Sequence, residues 1–241
     1  MKLKIISMTK NPIDVIASAY AITRGITYEE FLKKYSDKGK KDLIKKGFES
    51  GHLTPFEKVD IDVEATGFSR VFETQKVRTR HASYSIQSGR LLEKDFILVK
   101  PNSVSEEEHA KAQQEAFNLY EKLLKNVDPE DARYYLPQGL KRMGRFKQNL
   151  RSWIETSMLR LCLNTQWEYR DFMSKLKREI NQYEPFLSEF LQPQCNVYGY
   201  CIEKFNSCKK FSSKDDVLKG KINFGKIYEK SQEPLPEKEE K

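Results

Sequence analysis

A strict alternation of apolar and charged residues predicts one β-strand of the chain. Between residues 58 and 66 every second side chain is apolar, and those between are mostly charged. The apolar positions are Val59, Ile61, Val63 and Ala65. A period of two places them on one face of a strand, with the charged residues on the solvated face. Two further strands are predicted, at residues 2–8 and 95–99.

Helices are predicted where apolar residues recur every three or four positions or where capping residues occur. Asn11 followed by Pro12 predicts a helix that begins there and runs towards Arg24. Thr27 and Ser105 each begin a capping-box pattern. The other predicted helices are a lysine-rich one that ends at Gly51, a short one from Asp128, a long one from about Met143 to Leu163, and one from Thr165 to about Tyr183.

No linker or internal repeat divides the chain, so we predict one α+β catalytic domain over residues 1–211. Residues 212–241 are strongly polar and predict an extension that is disordered at its end. No apolar run reaches the roughly 18 residues of a membrane span. The N-terminus also lacks the apolar core of a signal peptide, so we expect a cytoplasmic protein without a membrane partner.

The net charge of +8 suits an anionic ligand, either a nucleic acid or a phosphorylated small molecule. Lysines are spread along the chain beside acids, whereas arginines are clustered. The clustered arginines are Arg78, Arg80, Arg90, Arg142, Arg145, Arg151 and Arg160. Because arginine binds phosphate through a planar pair of donors, this clustering favours a specific anion site.

The four cysteines do not follow a usual zinc-binding spacing. They are Cys162, Cys195, Cys201 and Cys208, and no histidine lies nearby in the sequence. We therefore predict no metal site. Reduced thiols in or near a core are the favoured interpretation, with a metal site or a redox-sensitive pair as the alternative.

The segment R-T-R-H-A-S-Y-S-I-Q-S-G-R at residues 78–90 is rich in hydrogen-bond donors. Ser88, Gly89 and Arg90 combine a hydroxyl, a backbone that a ligand can approach and a guanidinium, which together predict an anion site. The alternative is a basic surface loop paired with acids. The phosphate-binding loops of P-loop and Rossmann proteins are absent from the sequence.

Two further residues stand out by their surroundings. Arg160 lies in the apolar run M-L-R-L-C-L, so we expect it to have a partner, either Glu155 or Glu168 or an anionic ligand. His52 follows a helix-ending glycine and could contact a ligand or cap that helix.

These segments together resemble the flavin-dependent thymidylate synthases. R-T-R followed by seven residues and Ser88 is similar to the family's R-H-R-x7-S signature, and G-H-L-T-P-F-E at 51–57 to its G-H-x-T-P-F-E segment. Gln75, A-R-Y-Y-L-P at 132–137, N-L-R-S at 149–152, L-R at 159–160 and Q-W-E at 166–168 keep the family's order and spacing. The resemblance covers about residues 50–170.

The resemblance implies an enzyme that makes dTMP from dUMP, with methylenetetrahydrofolate as carbon donor and FAD reduced by NADPH as hydride source. It implies an α+β fold with an antiparallel sheet and packed helices, and a homotetramer with shared active sites. The residues implied to hold dUMP are Gln75, Arg78, Ser88, Gly89, Arg90, Arg133 and Arg160, the last acting catalytically at the uracil edge. Those implied at the FAD site are His52, Thr54, Glu57, Arg78, Thr79, Arg80, His81, Asn149 and Arg151.

The chain departs from the family pattern mostly on the flavin side. Thr79 replaces the histidine of R-H-R, and Ser85, Ile86, Leu91 and Glu155 replace residues common in the family. These departures leave open a relative that modifies C5 of another pyrimidine nucleotide, for example by hydroxymethylation. A non-catalytic basic module that binds nucleic acid is a third hypothesis, which the resemblance disfavours.

Overall fold

The computed structural model describes residues 1–89 and 96–219. These residues belong to two compact units that divide after Leu150, the first beginning at Met1 and the second at Arg151. The prediction of one catalytic domain over residues 1–211 stays a prediction. Arg90, Leu91 and most of the predicted extension, residues 220–241, lie outside the described residues.

The first unit contains a four-stranded antiparallel sheet. Its strands are β1 (Lys2–Met8), β2 (Asp60–Ser69), β3 (Ala82–Ile86) and β4 (Lys141–Asn149), in the order β1-β2-β4-β3. The α+β fold with an antiparallel sheet is therefore confirmed. The alternation seen between residues 58 and 66 is also confirmed, because Val59, Ile61, Val63 and Ala65 are fully buried. Of the described part of the predicted strand 95–99, Leu98 forms one isolated bridge with Leu140.

The prediction of a helix from Met143 was wrong, because residues 141–149 form strand β4 and the helix begins at Leu150. Buried and exposed residues do alternate along β4, but three of the four buried positions are not large and apolar. The buried residues are Arg142, Gly144, Phe146 and Gln148. Because arginine, glycine and glutamine are not strongly apolar, their burial at every second position produces no alternation of apolar and polar residues in the sequence.

The helices begin largely where local signals predicted. Those of the first unit are α1 (Pro12–Ile22), α2 (Tyr28–Lys34), α3 (Asp37–Glu49), α4 (Arg70–Lys76), α5 (Glu106–Leu124) and α6 (Pro129–Ala132), with 3-10 helices at Thr54–Lys58 and Arg133–Tyr135. The capping boxes at Thr27 and Ser105 are both confirmed. Asn11 precedes Pro12 as predicted, but it adopts a left-handed conformation and its side chain does not cap the helix.

The second unit is helical in its described part, which ends at residue 219. Its helices are α7 (Leu150–Arg160), which begins at the last residue of the first unit, α8 (Trp167–Tyr183), α9 (Pro185–Ser188), α10 (Gln194–Tyr198) and α11 (Lys214–Leu218). Trp153 and Phe172 are fully buried, with ring centroids 6.1 Å apart. None of the described helices combines the length and the apolar composition that a membrane crossing requires.

Candidate active site

The structure brings Gly89 next to two arginines from other parts of the first unit. A Cβ built on Gly89 would lie 3.4 Å from Nη1 of Arg142 and 4.0 Å from Cδ of Arg133. Arg142 comes from β4, and its Nη2 donates a hydrogen bond to the carbonyl oxygen of Gln87. The chain therefore holds the loop that contains Ser88 and Gly89 against a guanidinium, close to Arg133.

Arg142 is buried, with 6% of its surface exposed, and its hydrogen bonding is incomplete. Its Nε lies 3.4 Å from Oε2 of Glu73, which is an ion pair without hydrogen-bond geometry. Within the residues that the structure describes, Nε and Nη1 of Arg142, Oε2 of Glu73 and Nε of Arg70 find no hydrogen-bond partner. Buried donors without partners are rare and costly, so this cluster is suited to receiving an acceptor from a ligand.

The charges of Glu73 and Arg70 affect the pKa of Arg142 and the net charge that an anion would meet there. Burial lowers the pKa of the Arg142 guanidinium, Glu73 opposes this effect, and Arg70 adds to it. A guanidinium stays protonated at neutral pH despite such a shift. Arg70 and Arg142 together exceed the single charge of Glu73, which leaves the cluster with a surplus positive charge beside Gly89.

The segment from Gln75 to His81 begins in the last turn of α4, and its backbone is fixed by Tyr84 of strand β3. The Tyr84 hydroxyl lies 2.9 Å from the carbonyl oxygen of Lys76 and 2.6 Å from that of Thr79, and shares its one proton between them. Burial raises the pKa of Tyr84, so the hydroxyl keeps its proton for these bonds. The tyrosine thereby orients the backbone between them, which carries Arg78.

The side chains of this segment are largely accessible. Arg78, Arg80 and His81 are exposed, while Gln75 and Thr79 are half-buried. These exposed guanidinium and imidazole groups project from a backbone that Tyr84 holds in place. They are therefore suited to binding an anionic dinucleotide.

His52, Thr54 and Glu57 lie at the short 3-10 helix Thr54–Lys58 and are exposed. Pro55 and Phe56 of the same segment are buried, so the motif has an apolar side that anchors it and a polar side that faces solvent. The backbone N–H of His52 donates to the carbonyl oxygen of Gly47 at 2.9 Å and so caps α3. Its carbonyl oxygen accepts from Tyr20. The backbone of His52 thus caps the helix while its imidazole stays accessible to a ligand.

In the second unit, Arg160 ends helix α7 and its guanidinium lies over an aromatic ring. The guanidinium carbon lies 4.7 Å from the ring centroid of Tyr169. Glu155, one of the two expected partners of Arg160, instead accepts a hydrogen bond from Arg151 at 2.8 Å. This cation–π contact with a buried ring restrains the position of the Arg160 guanidinium.

The departures at Ser85 and Ile86 fall on the edge strand β3. Ser85 is exposed and opposite Arg145, and Ile86 is half-buried and opposite Gly144. A Cβ on Gly144 would lie 3.0 Å from the Ser85 carbonyl oxygen and 3.2 Å from Cγ1 of Ile86. Gly144 therefore lets β3 approach β4 closely, and the apolar Ile86 fits that contact better than an acid would.

Sequence reasoning missed Arg142 as a member of the site, as well as Glu73 and Tyr84. Arg142 was noticed as one of the clustered arginines, but with a helix predicted from about Met143, strand β4, which carries Arg142 to Gly89, was missed. Asn149, the last residue of β4, is half-buried. Arg90 lies outside the described residues.

Comparison with known proteins gives consistent matches along most of the chain. The model of the Thy1 family, thymidylate synthase complementing protein, matches residues 4–186. A flavin-dependent thymidylate synthase of Sulfolobus acidocaldarius is 32% identical over 208 residues, covering 82% of this chain and 79% of that protein. One of Clostridium tetani is 28% identical, covering 87% and 94%.

A solved structure gives the same architecture. The flavin-dependent thymidylate synthase of Helicobacter pylori, crystallised with FAD and dUMP, superposes with a TM-score of 0.66 at 23% identity. The alignment covers 80% of this chain and all of that one.

Proposed function

The chain belongs to the flavin-dependent thymidylate synthase family, and from this premise we propose that it methylates dUMP to dTMP. Methylenetetrahydrofolate would supply the carbon and NADPH would reduce the flavin. FAD, when bound, supplies the hydride. A cytoplasmic homotetramer with shared active sites is part of the same proposal.

The observation that carries the proposal is the buried Arg142 with an unpartnered Nη1 beside Gly89. A protein with no anion to bind gains nothing from a donor left unpaired in its interior. The nucleotide phosphate satisfies such a donor, and Arg133 lies close enough to add a second guanidinium. We assign Arg142 the role of holding the loop of Ser88 and Gly89 in place through its bond to the Gln87 carbonyl.

The remaining roles are those that the family resemblance implies. Gln75, Arg78, Ser88, Gly89, Arg90, Arg133 and Arg160 would bind dUMP. His52, Thr54, Glu57, Arg78, Thr79, Arg80, His81, Asn149 and Arg151 would hold FAD. The exposed cationic donors among them fit an anionic dinucleotide, and Arg160 would stabilise negative charge on the uracil ring through its edge.

The test is an absorbance spectrum and a tritium-release assay on the purified protein. We expect a yellow protein that binds FAD and releases tritium from 5-tritiated dUMP when methylenetetrahydrofolate and NADPH are present. A protein that neither takes up FAD nor releases tritium contradicts the proposal. Product masses after incubation with dUMP and with dCMP separate methylation from hydroxymethylation and identify the nucleotide. Binding to DNA or RNA that falls steeply with salt and ignores dUMP would support a nucleic-acid module instead.

Gly89→Ala tests whether the nucleotide approaches the backbone at this position. The protein has room for the added methyl group, since the nearest atom is 3.4 Å away, so stability should stay near that of the wild type. We expect the KM for dUMP to rise about tenfold, because the methyl group occupies space that the ligand needs.

Gly139→Ala is the matched control, since its methyl group would lie 3.8 Å from the nearest atom and outside the site. It should leave both the KM and the melting temperature unchanged. Equal KM values for the two variants would remove Gly89 from the nucleotide site.

A further inference from the structure

All four cysteines of the chain line one small cavity in the second unit. They are Cys162, Cys195, Cys201 and Cys208, together called the four-cysteine cluster. Cys162 follows helix α7 and Cys195 lies in α10, while the other two lie in residues 199–213. Leu163, Pro193 and Phe211 also line the cavity, whose volume of about 20 Å³ suits one water-sized body.

Residues 199–213, which carry two of the cysteines, have little regular structure to order them. Cys201 forms one bridge with Ser213, through backbone bonds of 2.8 and 3.1 Å to the neighbouring Ser212 and Lys214. Residues 202–206 are all exposed, and Phe205 is 94% exposed. A loop that buries so few apolar side chains needs another interaction to hold it in one conformation.

The backbone beside Cys208 is held in an unusual conformation. Lys209 has a φ of 61°, in the left-handed region that a residue with a side chain rarely adopts. Strain of this kind persists where surrounding interactions fix the chain, and it is common at binding sites. Lys204, Lys209 and Lys210 also give this loop an excess of positive charge over Glu203.

We propose that the four-cysteine cluster binds one zinc ion that fastens residues 199–213 to the rest of the second unit. Four thiolates are the ligand set of many structural zinc sites. Such a site carries a formal charge of about −2, which the lysines of the loop offset. None of the four cysteines has a role in the proposed reaction, so the zinc proposal does not depend on the proposed function.

Zinc binding requires the thiols to turn towards the cavity centre and to lose their protons. Among residues 1–89 and 96–219, no three His, Cys, Asp or Glu side chains already stand in a metal-binding arrangement. Burial raises the pKa of Cys195 to about 11, with the other three cysteines adding to it, and burial also raises the pKa of Cys162. A zinc ion reverses this preference because it deprotonates the thiols that it binds, with release of protons.

The first test is the metal content of the full-length protein purified in the presence of zinc and dialysed. We expect one zinc per chain by mass spectrometry, released together with four titratable thiols when a mercurial reagent is added. With Co²⁺ in place of zinc, the difference spectrum between the two metal forms should show tetrahedral thiolate bands, free of flavin absorbance. Four freely reactive thiols in a protein that takes up no zinc, or a disulfide between any two of them, would overturn the proposal.

Cys208→Ser provides a variant test, because Cys208 is the exposed member of the cluster and an unligated thiol there should tolerate serine. We expect at least about a 100-fold loss of zinc affinity in chelator competition and a fall in melting temperature of about 10 °C. The control is Phe205→Ser, a change at an exposed position of the same loop, which should keep its zinc. Equal zinc retention by Cys208→Ser and the wild type under the chelator would also overturn the proposal, whatever the fold of the variant.

Discussion

Replacing Arg160 with lysine is expected to lower kcat at least about 100-fold while FAD content and melting temperature stay near those of the wild type. The variant keeps the positive charge but loses the planar pair of donors. A developing negative charge on a planar ring is stabilised by donors fixed along its edge, and losing one such donor typically costs 10²–10³ in kcat.

The structure explains why this arginine can be rigid. Its guanidinium carbon lies over the buried ring of Tyr169, 4.7 Å from the centroid. Because this contact restrains the guanidinium before the substrate binds, less conformational entropy is lost on binding. A lysine ammonium has no plane to stack and moves on a flexible stem.

The measurement is tritium release at saturating dUMP, methylenetetrahydrofolate and NADPH, with the flavin spectrum recorded on the same samples. Arg178→Lys is the control, since Arg178 is an exposed arginine of α8 and the change is chemically the same. If the kcat of Arg160→Lys lies within a few-fold of the control, positive charge alone suffices. The planar pair of guanidinium donors would then have no special role in turnover.

What could be predicted from the sequence was mostly local. The capping boxes at Thr27 and Ser105 involve residues three apart, and both form. The strand around Val63 was visible because the buried side chains from Val59 to Ala65 are all apolar. Such signals need no knowledge of distant partners, and for that reason they are reliable.

Strand β4 could not be predicted because its buried polar residues depend on partners far away in the chain. Gln148 accepts a hydrogen bond from Lys76, 72 residues earlier, and Arg142 pairs with Glu73. Without knowledge of those partners, a polar residue in the sequence predicts a solvent-exposed position, even where the fold buries it. Missing this strand also concealed Arg142 from the site, although Ser88 and Gly89 had been singled out as part of an anion site, and Arg133 through the family resemblance.

Lys76→Met is expected to remove a pH dependence of folding that the wild type shows between about pH 7 and pH 10. Lys76 ends helix α4 and is fully buried, with its Nζ 5.5 Å from the ring centroids of both Tyr84 and Phe146. Burial lowers the pKa of this lysine from 10.5 to about 7. The folded protein therefore keeps Lys76 neutral at a pH where the unfolded chain protonates it.

The direction of the effect follows from proton binding. Between about pH 7 and 10.5 the unfolded state binds more protons than the folded state, so the free energy of unfolding rises with pH. From pH 7 to pH 9 this lysine should contribute a rise of about 2 kcal/mol. At pH 7 the variant should be more stable than the wild type by about 2 kcal/mol, because removing the buried amine outweighs the hydrogen bond lost to Gln148.

Urea unfolding at pH 7 and pH 9 measures both quantities, with Lys122→Met on the exposed side of α5 as the control. Other lysines and tyrosines titrate equally in all three proteins, so the difference between variants isolates Lys76. A Lys76→Met protein that is less stable than the wild type at both pH values, with an unchanged difference between them, would mean that Lys76 is charged in the fold. Its hydrogen bond to Gln148 and the faces of Tyr84 and Phe146 would then stabilise a buried ammonium, and β4 would depend on that charge.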